Sequence, residues 1–402
     1  MTRLLFLSYC MPPLKYPRSV QISRLIKYLP VKPDVIYADE PGQGDPSIAP
    51  NFEKQVGWVK RIPFHPFGRI GGAIRRTFLP WVYRTPDMQS AWSKKLARHA
   101  LTYLQENSPQ IVVTFGQPMS VHLAGLTVKK NHPDIPWVAH FSDPWVANPL
   151  NPMGAITRWM NRRLERQVMQ QADKIMFTSQ ETLQLVAKDY SDAITQKFSY
   201  LPHAYDRELY LEVEKPSNAC FTLRYVGGFY SQRTPEPLLE AIRLINLQNP
   251  KLLMNVRFEI VGDLGRHSYL KDRYKELAET VVFAPSVSYS ESLRLMQAAD
   301  ILLVIDAPSG GESVFFPSKL VDYIGSQRPI YGITPEGTSR HIIESLGGTC
   351  ADPRDIPSIQ SLIEEVLKSR HGYDPQAHSN AYQQYDAQEV AKRFMTLLKE
   401  VE

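Results

Sequence analysis

Short apolar runs alternate with longer amphipathic stretches along the chain, and that alternation predicts most of its architecture. Leu4 to Leu7 is an unbroken apolar strand. After a turn with Pro12, Pro13 and Pro17, residues Ile22, Leu25, Ile26 and Leu29 recur at helical spacing. From Pro86 the rhythm becomes regular: a helix to Glu106, a strand Gln110 to Phe115, a helix Met119 to Lys130 and a strand Trp137 to Phe141. A long helix from Ala155 to Gln171, a strand Lys174 to Thr178, a helix from Gln180 and a strand Phe198 to Leu201 follow. Pro202-His203-Ala204-Tyr205-Asp206 then breaks the pattern, and residues 205 to 218 read as an interdomain connection.

The second half repeats the same logic. Strand Thr222 to Val226 leads through a glycine turn into a helix with Leu238, Leu239, Ile242 and Ile245 on one face, and strand Arg257 to Val261 follows. Ser288 and Glu291 form a capping box for a helix ending at Ala299, and Ile301 to Ile305 reads as a buried strand. A helix, a further strand and two more strand–helix units lead to a last helix from Asp386. That helix carries Val390, Phe394, Leu397 and Leu398 on one stripe, so it must dock on something. Strands alternating with helices imply parallel sheets, so the expected fold class is α/β, with two Rossmann-like doubly wound domains facing a central cleft.

Composition agrees with two cores: 402 residues, 43% hydrophobic and 22% charged. Cys10, Cys220 and Cys350 are odd in number, dispersed and outside any Cys-x-x-Cys motif, which suits a reduced cytosolic setting without structural zinc. No apolar run approaches the roughly 18 residues that cross a bilayer, so a soluble or surface-lying protein is expected. A net charge of +5 is modest for this length and argues against a dedicated nucleic-acid binder. One stretch departs from the average. Gly57 to Pro86 holds Lys60, Arg61, Arg69, Arg75, Arg76 and Arg84 without an acidic residue, interleaved with Trp58, Phe64, Phe67, Phe78, Trp81 and Tyr83. Such a segment suits an anionic membrane surface; equally, its aromatics can be core and its arginines a solvated rim.

In parallel sheets, ligands lie beyond the C-terminal ends of the strands. That places Gly116-Gln117-Pro118 and Ser142-Asp143-Pro144-Trp145 on the active edge, with Asp143 the stronger acid candidate and His140, inside a strand, a core histidine. Lys15 and Arg18, just ahead of the first helix, offer a landing place for an anion or are ordinary surface charges. Gly227-Gly228 directly after a strand allow close backbone approach, and Arg233 can supply a bidentate charge to a diphosphate. In FFPSKLVDYIGSQRPIYG, residues 315 to 332, Pro317 suits a helix start whose free amides hold an anion. Lys319 and Asp322, one turn apart, either face a ligand together or pair with each other in water. No G-x-x-x-x-G-K-[ST], G-x-S-x-G or Asp-x-Asp motif is present. A phosphate-bearing ligand therefore has to be neutralised by amides and basic side chains rather than by a dedicated metal motif.

These segments also carry a family likeness. YVGGFYSQRTPEPLLEAI, VSYSESLRLMQAADILLV and FPSKLVDYIGSQRPI in the second half, with IVVTFGQP, WVAHFSDPW and LERQVMQQADKIMFTS in the first, resemble the retaining, metal-independent glycosyltransferases of the GT-B fold. The resemblance is to the large family 4 group that builds bacterial surface polysaccharides and glycolipids. It implies an acceptor-side domain over 1–204, a donor-nucleotide domain over 205–385 and a closing helix, 386–402, that crosses back to the first. The implied reaction moves a hexosyl or N-acetylhexosaminyl group from a nucleoside diphosphate sugar to a hydroxyl of a glycan or lipid-linked acceptor, with retention and with neither cofactor nor metal.

By the same resemblance, Arg233, Lys319 and the helix start at Pro317 and Ser318 would stabilise the departing diphosphate beside Gly227 and Gly228. Asp322 would hold the ribose, with Pro329 seven residues on. Asp143 would orient acceptor or sugar, and Lys15, Arg18 and Trp145 would lie on the acceptor side. The chain departs from the family in several places. Val314 stands where an upstream acid is usual, leaving Glu312 two residues displaced as its replacement; Asp322 replaces the usual Glu; Gly228 replaces a donor-loop Arg; PPLKYPRS replaces an N-terminal Gly-Gly loop; and His203-Ala204 replaces Asn-Gly. A sugar-nucleotide epimerase of the same fold, or a catalytically silent binding protein, are the alternative outcomes. The implied location is cytoplasmic, peripheral on the inner face of the plasma membrane through residues 57–86.

Overall fold

The computed structural model describes residues 3–42, 44, 48–49, 51–64, 85–210, 220–230, 232–369 and 375–402. Every paired strand within its two sheets is parallel. The first sheet holds β1 (Leu4–Ser8), β2 (Asp34–Asp39), β3 (Val59–Pro63), β4 (Ile111–Phe115), β5 (Trp137–Phe141), β6 (Lys174–Phe177) and β7 (Phe198–Tyr200), in the order β3-β2-β1-β4-β5-β6-β7. The second holds β8 (Phe221–Val226), β9 (Val256–Val261), β10 (Val281–Ala284), β11 (Ile301–Ile305), β12 (Ile330–Ile333) and β13 (Cys350–Ala351), in the order β10-β9-β8-β11-β12-β13. Both are doubly wound: strands are added outward from β1 in one direction, then from β4 in the other, and likewise from β8 and β11.

Residues 1–204 with 387–402 form one compact unit and residues 205–386 the other. In the first, the largely apolar strands β1, β4 and β5 are buried on both faces, as parallel strands covered by helices must be. Phe6 of β1 meets Phe115 of β4 edge-on at 5.0 Å and Phe394 of the last helix at 6.0 Å. That helix, Ala387–Lys399, buries Val390, Phe394 and Leu398, the stripe that its sequence required to dock. In the second unit, helix Glu236–Gln248 buries Leu238, Leu239, Ile242 and Ile245 against the sheet core. Ser288 caps helix Tyr289–Ala298 by accepting from the Glu291 amide at 3.3 Å, while the Glu291 carboxylate turns to Arg294 instead of completing the capping box.

Three strands go beyond the sequence expectation. β3, VKRIP, is an edge strand with one fully buried side chain, Ile62, so its apolar signal is diluted by Lys60 and Arg61. β10 is likewise a short edge strand, and β2 lies between two prolines and an acidic loop that interrupt the pattern. In the described part of the basic–aromatic stretch, Trp58, 41% exposed, lies against Tyr103 at 5.0 Å, Phe64 meets Tyr9 at 5.3 Å, and Arg61 donates to Tyr37 Oη at 2.9 Å. Residues 65–84, with Arg69, Arg75, Arg76 and Arg84, lie outside the described residues. Among the described residues, no helix is long and apolar enough to cross a membrane.

Candidate functional site

A doubly wound parallel sheet opens a crevice at its C-terminal edge where strand addition reverses, because the two loops there run to opposite faces. In the second unit that point lies between β8 and β11. Gly227 follows β8 with φ of +143°, a conformation that a side chain disfavours, and a Cβ placed there would come within 3.2 Å of Lys319 Nζ. Asp306 follows β11. Its carboxylate accepts from Arg233 Nη2 at 3.0 Å and from Thr334 Oγ1 at 3.2 Å, so it ties the glycine loop to the end of β12. Burial works against the Arg233 charge, but Asp306 and Tyr225 outweigh it and hold its pKa above the ordinary value. Arg233 Nε is buried and, among the described residues, has no hydrogen-bond partner.

Lys319 lies in the first turn of helix Ser318–Ser326 and is half-buried. Its ammonium sits 4.2 Å over the Tyr225 ring and donates to Tyr225 Oη at 2.5 Å. Burial, then the neighbouring Arg233, push its pKa well below the ordinary lysine value, with Asp306 opposing. Two cations thus converge on one tyrosine and one carboxylate beside a glycine turn: an anion site in charge and shape. Pro317 is the cap of the helix, in extended conformation, rather than part of its first turn, and no side chain caps that end. The Leu320 amide donates to the Pro317 carbonyl at 3.0 Å, which leaves the amides of Ser318 and Lys319 for an anion.

Asp322 does not form the exposed pair with Lys319 that the spacing allows. It is buried, and its Oδ1 accepts from Tyr289 Oη at 3.1 Å and lies 3.5 Å from Tyr210 Oη, which also donates to the Asp322 carbonyl at 3.1 Å. Gly325 makes room for Tyr210: a Cβ there would lie 2.5 Å from its ring. Gly228 and Glu312 are exposed, Glu312 on the long loop between β11 and the helix. That loop is pinned at Ser313, whose carbonyl accepts from the Thr338 amide at 2.8 Å.

In the first unit, helix Pro17–Lys27 begins earlier than its apolar spacing suggested, so Arg18 stands in its first turn rather than on the loop. It is turned inward. Its guanidinium donates to the carbonyls of Gly116 at 3.2 Å and His140 at 3.3 Å and faces His140 Nδ1 at 2.7 Å. Burial lowers its pKa to about 10. Burial and the Arg18 charge also drive the His140 and His203 imidazoles well below their ordinary range and that of His122 down to about 3, so all three stay neutral. His140 is the core histidine that its place in β5 suggested. Gln117, in left-handed conformation at φ of 71°, donates to Asp143 Oδ2 at 2.6 Å. Burial raises the Asp143 pKa against the opposing pull of Arg18 and Gln117.

Lys15 is exposed, and Trp145 is buried with its indole N–H donated to Asn161 Oδ1 at 2.8 Å, so its ring face is not open to solvent. The structure therefore groups Gly227, Arg233 and Lys319 in one unit and Arg18 and Asp143 in the other. Sequence reasoning missed Asp306, Tyr225 and Thr334. The position of Asp306, immediately after the all-apolar strand ILLVI, was the available signal, because strand C-termini line the ligand edge.

Residues 25–195 match the family of glycosyl transferase 4-like domains. None of the curated proteins is similar to the chain in sequence. Among solved structures, Anabaena HepE in complex with UDP and glucose superposes with a TM-score of 0.67 at 15% identity, covering 100% of each chain. The lipopolysaccharide outer core galactosyltransferase WaaB in its apo form does so at 0.65 and 13%, covering 99% of each. Sucrose-phosphate synthase from Thermosynechococcus elongatus gives 0.68 and 13%, covering 100% of this chain and 99% of that one.

Proposed function

The chain has the two-domain GT-B fold, with a glycosyl transferase 4-like domain over residues 25–195, and from that premise we propose that it transfers a sugar from a nucleoside diphosphate sugar to a hydroxyl acceptor. The observation that carries this reading is the Arg233–Asp306–Lys319 cluster around the Gly227 turn, at the switch point of the second sheet. Glycosyl transfer from such a donor develops negative charge on the departing diphosphate, and catalysis needs positive groups already fixed where that charge appears. Arg233, oriented by Asp306, and Lys319, set over Tyr225, meet that demand, with the open amides of helix Ser318–Ser326 beside them. HepE, of the same fold, holds UDP and glucose in its structure, which supports a nucleotide-sugar donor here.

Asp322 takes a ribose hydroxyl in this reading, in the polar nest that Tyr210 and Tyr289 build around it. On the acceptor side, Asp143 orients the acceptor or the sugar; burial raises its pKa against the pull of Arg18 and Gln117. Neutralisation of the diphosphate by arginine, lysine and amides makes the reaction independent of a metal. Retention of anomeric configuration and a glycan or lipid-linked acceptor are the finer proposals, drawn from the segment resemblance. The test is a panel of nucleoside diphosphate sugars with glycan and lipid-linked acceptors, read by product NMR in the presence of a chelator. An α-configured product from an α-configured donor supports the proposal. Conversion of the donor with no acceptor consumed would identify an epimerase instead, and no turnover together with no donor binding would identify a silent protein of the fold.

A further inference from the structure

Helix Ala155–Gln171 is turned inside out relative to an ordinary surface helix. Its inward stripe carries the polar Asn161 and Glu165 beside Val168 and Met169, all buried. Asn161 accepts from the Trp145 indole at 2.8 Å, and Glu165 accepts from the Val146 amide and from Tyr190 Oη, each at 3.2 Å. These bonds fasten the helix to the loop that follows Asp143. Its outward stripe runs Ile156, Trp159, Arg163, Arg166 at spacings of three and four, the period of one helix face. Ile156 is 63% exposed, Trp159 64% and the nearby Leu150 65%, so three large apolar side chains stand in water at one end. Arg158, Arg163 and Arg166 are exposed and, among the described residues, have no ion pair; Arg162 is held by Asp189. The only acid in the helix is the buried Glu165. Trp159, Arg162, Arg163 and Arg166 line one shallow depression with Gln167 and Gln170.

We propose that this face docks on an anionic lipid surface, with Leu150, Ile156 and Trp159 entering the headgroup layer and Arg163 and Arg166 pairing with lipid phosphates. The apolar side chains decide between partners. A nucleic acid offers the arginines phosphates but gives exposed aliphatic side chains no apolar phase to enter, whereas a membrane interface satisfies both. The proposal uses none of residues 65–84 and does not rest on the glycosyltransferase reading, because it needs neither donor nor turnover. In consequence, a protein docked here would carry the Asp143 loop within reach of a lipid-linked molecule, since Trp145 and Val146 are bonded to this helix.

The test is co-sedimentation of the full chain with vesicles of phosphatidylglycerol and phosphatidylcholine, against phosphatidylcholine alone. Binding to the anionic vesicles, weakened by salt, is expected. Each arginine at an anionic surface strengthens binding about fivefold, so Arg163→Glu/Arg166→Glu lowers partitioning by at least about tenfold. Trp159→Ser also weakens it, and a blue shift of tryptophan emission on vesicle addition is lost in Trp159→Phe. Circular dichroism and thermal unfolding confirm that these exposed substitutions leave the fold intact. Three results would overturn the proposal: no binding to anionic vesicles; binding unchanged by R163E/R166E but lost when Arg69, Arg75 and Arg76 are neutralised; or retention of RNA in gel shifts without vesicle binding.

Discussion

Arg233 Nη2 donates to Asp306 Oδ1 across 3.0 Å, and both side chains are largely shielded from water. The pair joins the glycine loop after β8 to the end of β11, so it fixes a cation at the switch point before any ligand arrives. Removing one partner of a shielded pair leaves the other charge uncompensated, at a typical cost of about 3–5 kcal/mol. Asp306→Ala is therefore expected to destabilise the protein more than the paired change Arg233→Met/Asp306→Leu, measured by urea unfolding. Equal destabilisation would mean that the pair contributes nothing specific.

Lys319 is held with its pKa well below that of a free lysine by burial and by Arg233. The negative charge of an arriving diphosphate opposes both influences and raises the pKa, so binding draws in a proton wherever the free protein holds the amine partly neutral. Affinity is then expected to fall as pH rises. Calorimetry of nucleoside diphosphate binding in buffers of different ionisation heat should show net proton uptake, and Lys319→Met should abolish it.

Gly227 combines φ of +143° with close approach to Lys319 Nζ. Gly227→Ala forces a side chain into an unfavourable backbone region, costing about 1–3 kcal/mol, and pushes the ammonium away from Tyr225. A lowered Tm together with loss of at least about tenfold in nucleotide affinity is expected, the latter equivalent to about 1.4 kcal/mol. Gly228→Ala, at an exposed position with 3.7 Å to its nearest neighbour, the Asp263 carbonyl, is expected to be milder.

Glu165 separates burial from pairing. Burial pushes its pKa up to about 7, against the Val146 amide, Tyr190 and Arg162, which favour the charged form. Because the folded pKa lies above the unfolded one, the stability linked to this group is full below about pH 4.5 and is lost as pH rises through about 7. Glu165→Gln is expected to gain on the wild type between those limits, reaching at most about 3 kcal/mol at pH 8. Urea unfolding of both proteins at pH 5 and pH 8 measures the difference.

The buried strands were legible because both faces are covered, so LLFL, IVVTF, WVAHF and ILLVI are nearly continuous apolar runs. β3 was not, since as an edge strand it buries only Ile62 and carries Lys60 and Arg61; β10, VVFA, is apolar but only four residues long. Gly227, Arg233 and Lys319 of the second unit could be named from glycine and charge placed after strands. Their mutual geometry could not, because Asp306 and Tyr225, which orient them, come from other strands with no sequence spacing to link them. Spacing misled in two places. It allowed an Asp322–Lys319 pair where tertiary tyrosines claim Asp322, and it put Arg18 on a loop where Pro17 in fact opens a helix that turns the guanidinium inward.

The central claim, a diphosphate site built on Arg233 in the second unit, is tested most directly by isothermal titration of UDP and of nucleoside diphosphate sugars into wild type, Arg233→Ala and Asp322→Ala. The account predicts that the wild type binds at least one of them and that Arg233→Ala weakens it by more than about tenfold, the loss of a charge-assisted bidentate contact. Asp322→Ala should weaken nucleosides and nucleotides alike while sparing inorganic pyrophosphate. Affinities unchanged in both variants, with their folds intact, would contradict it.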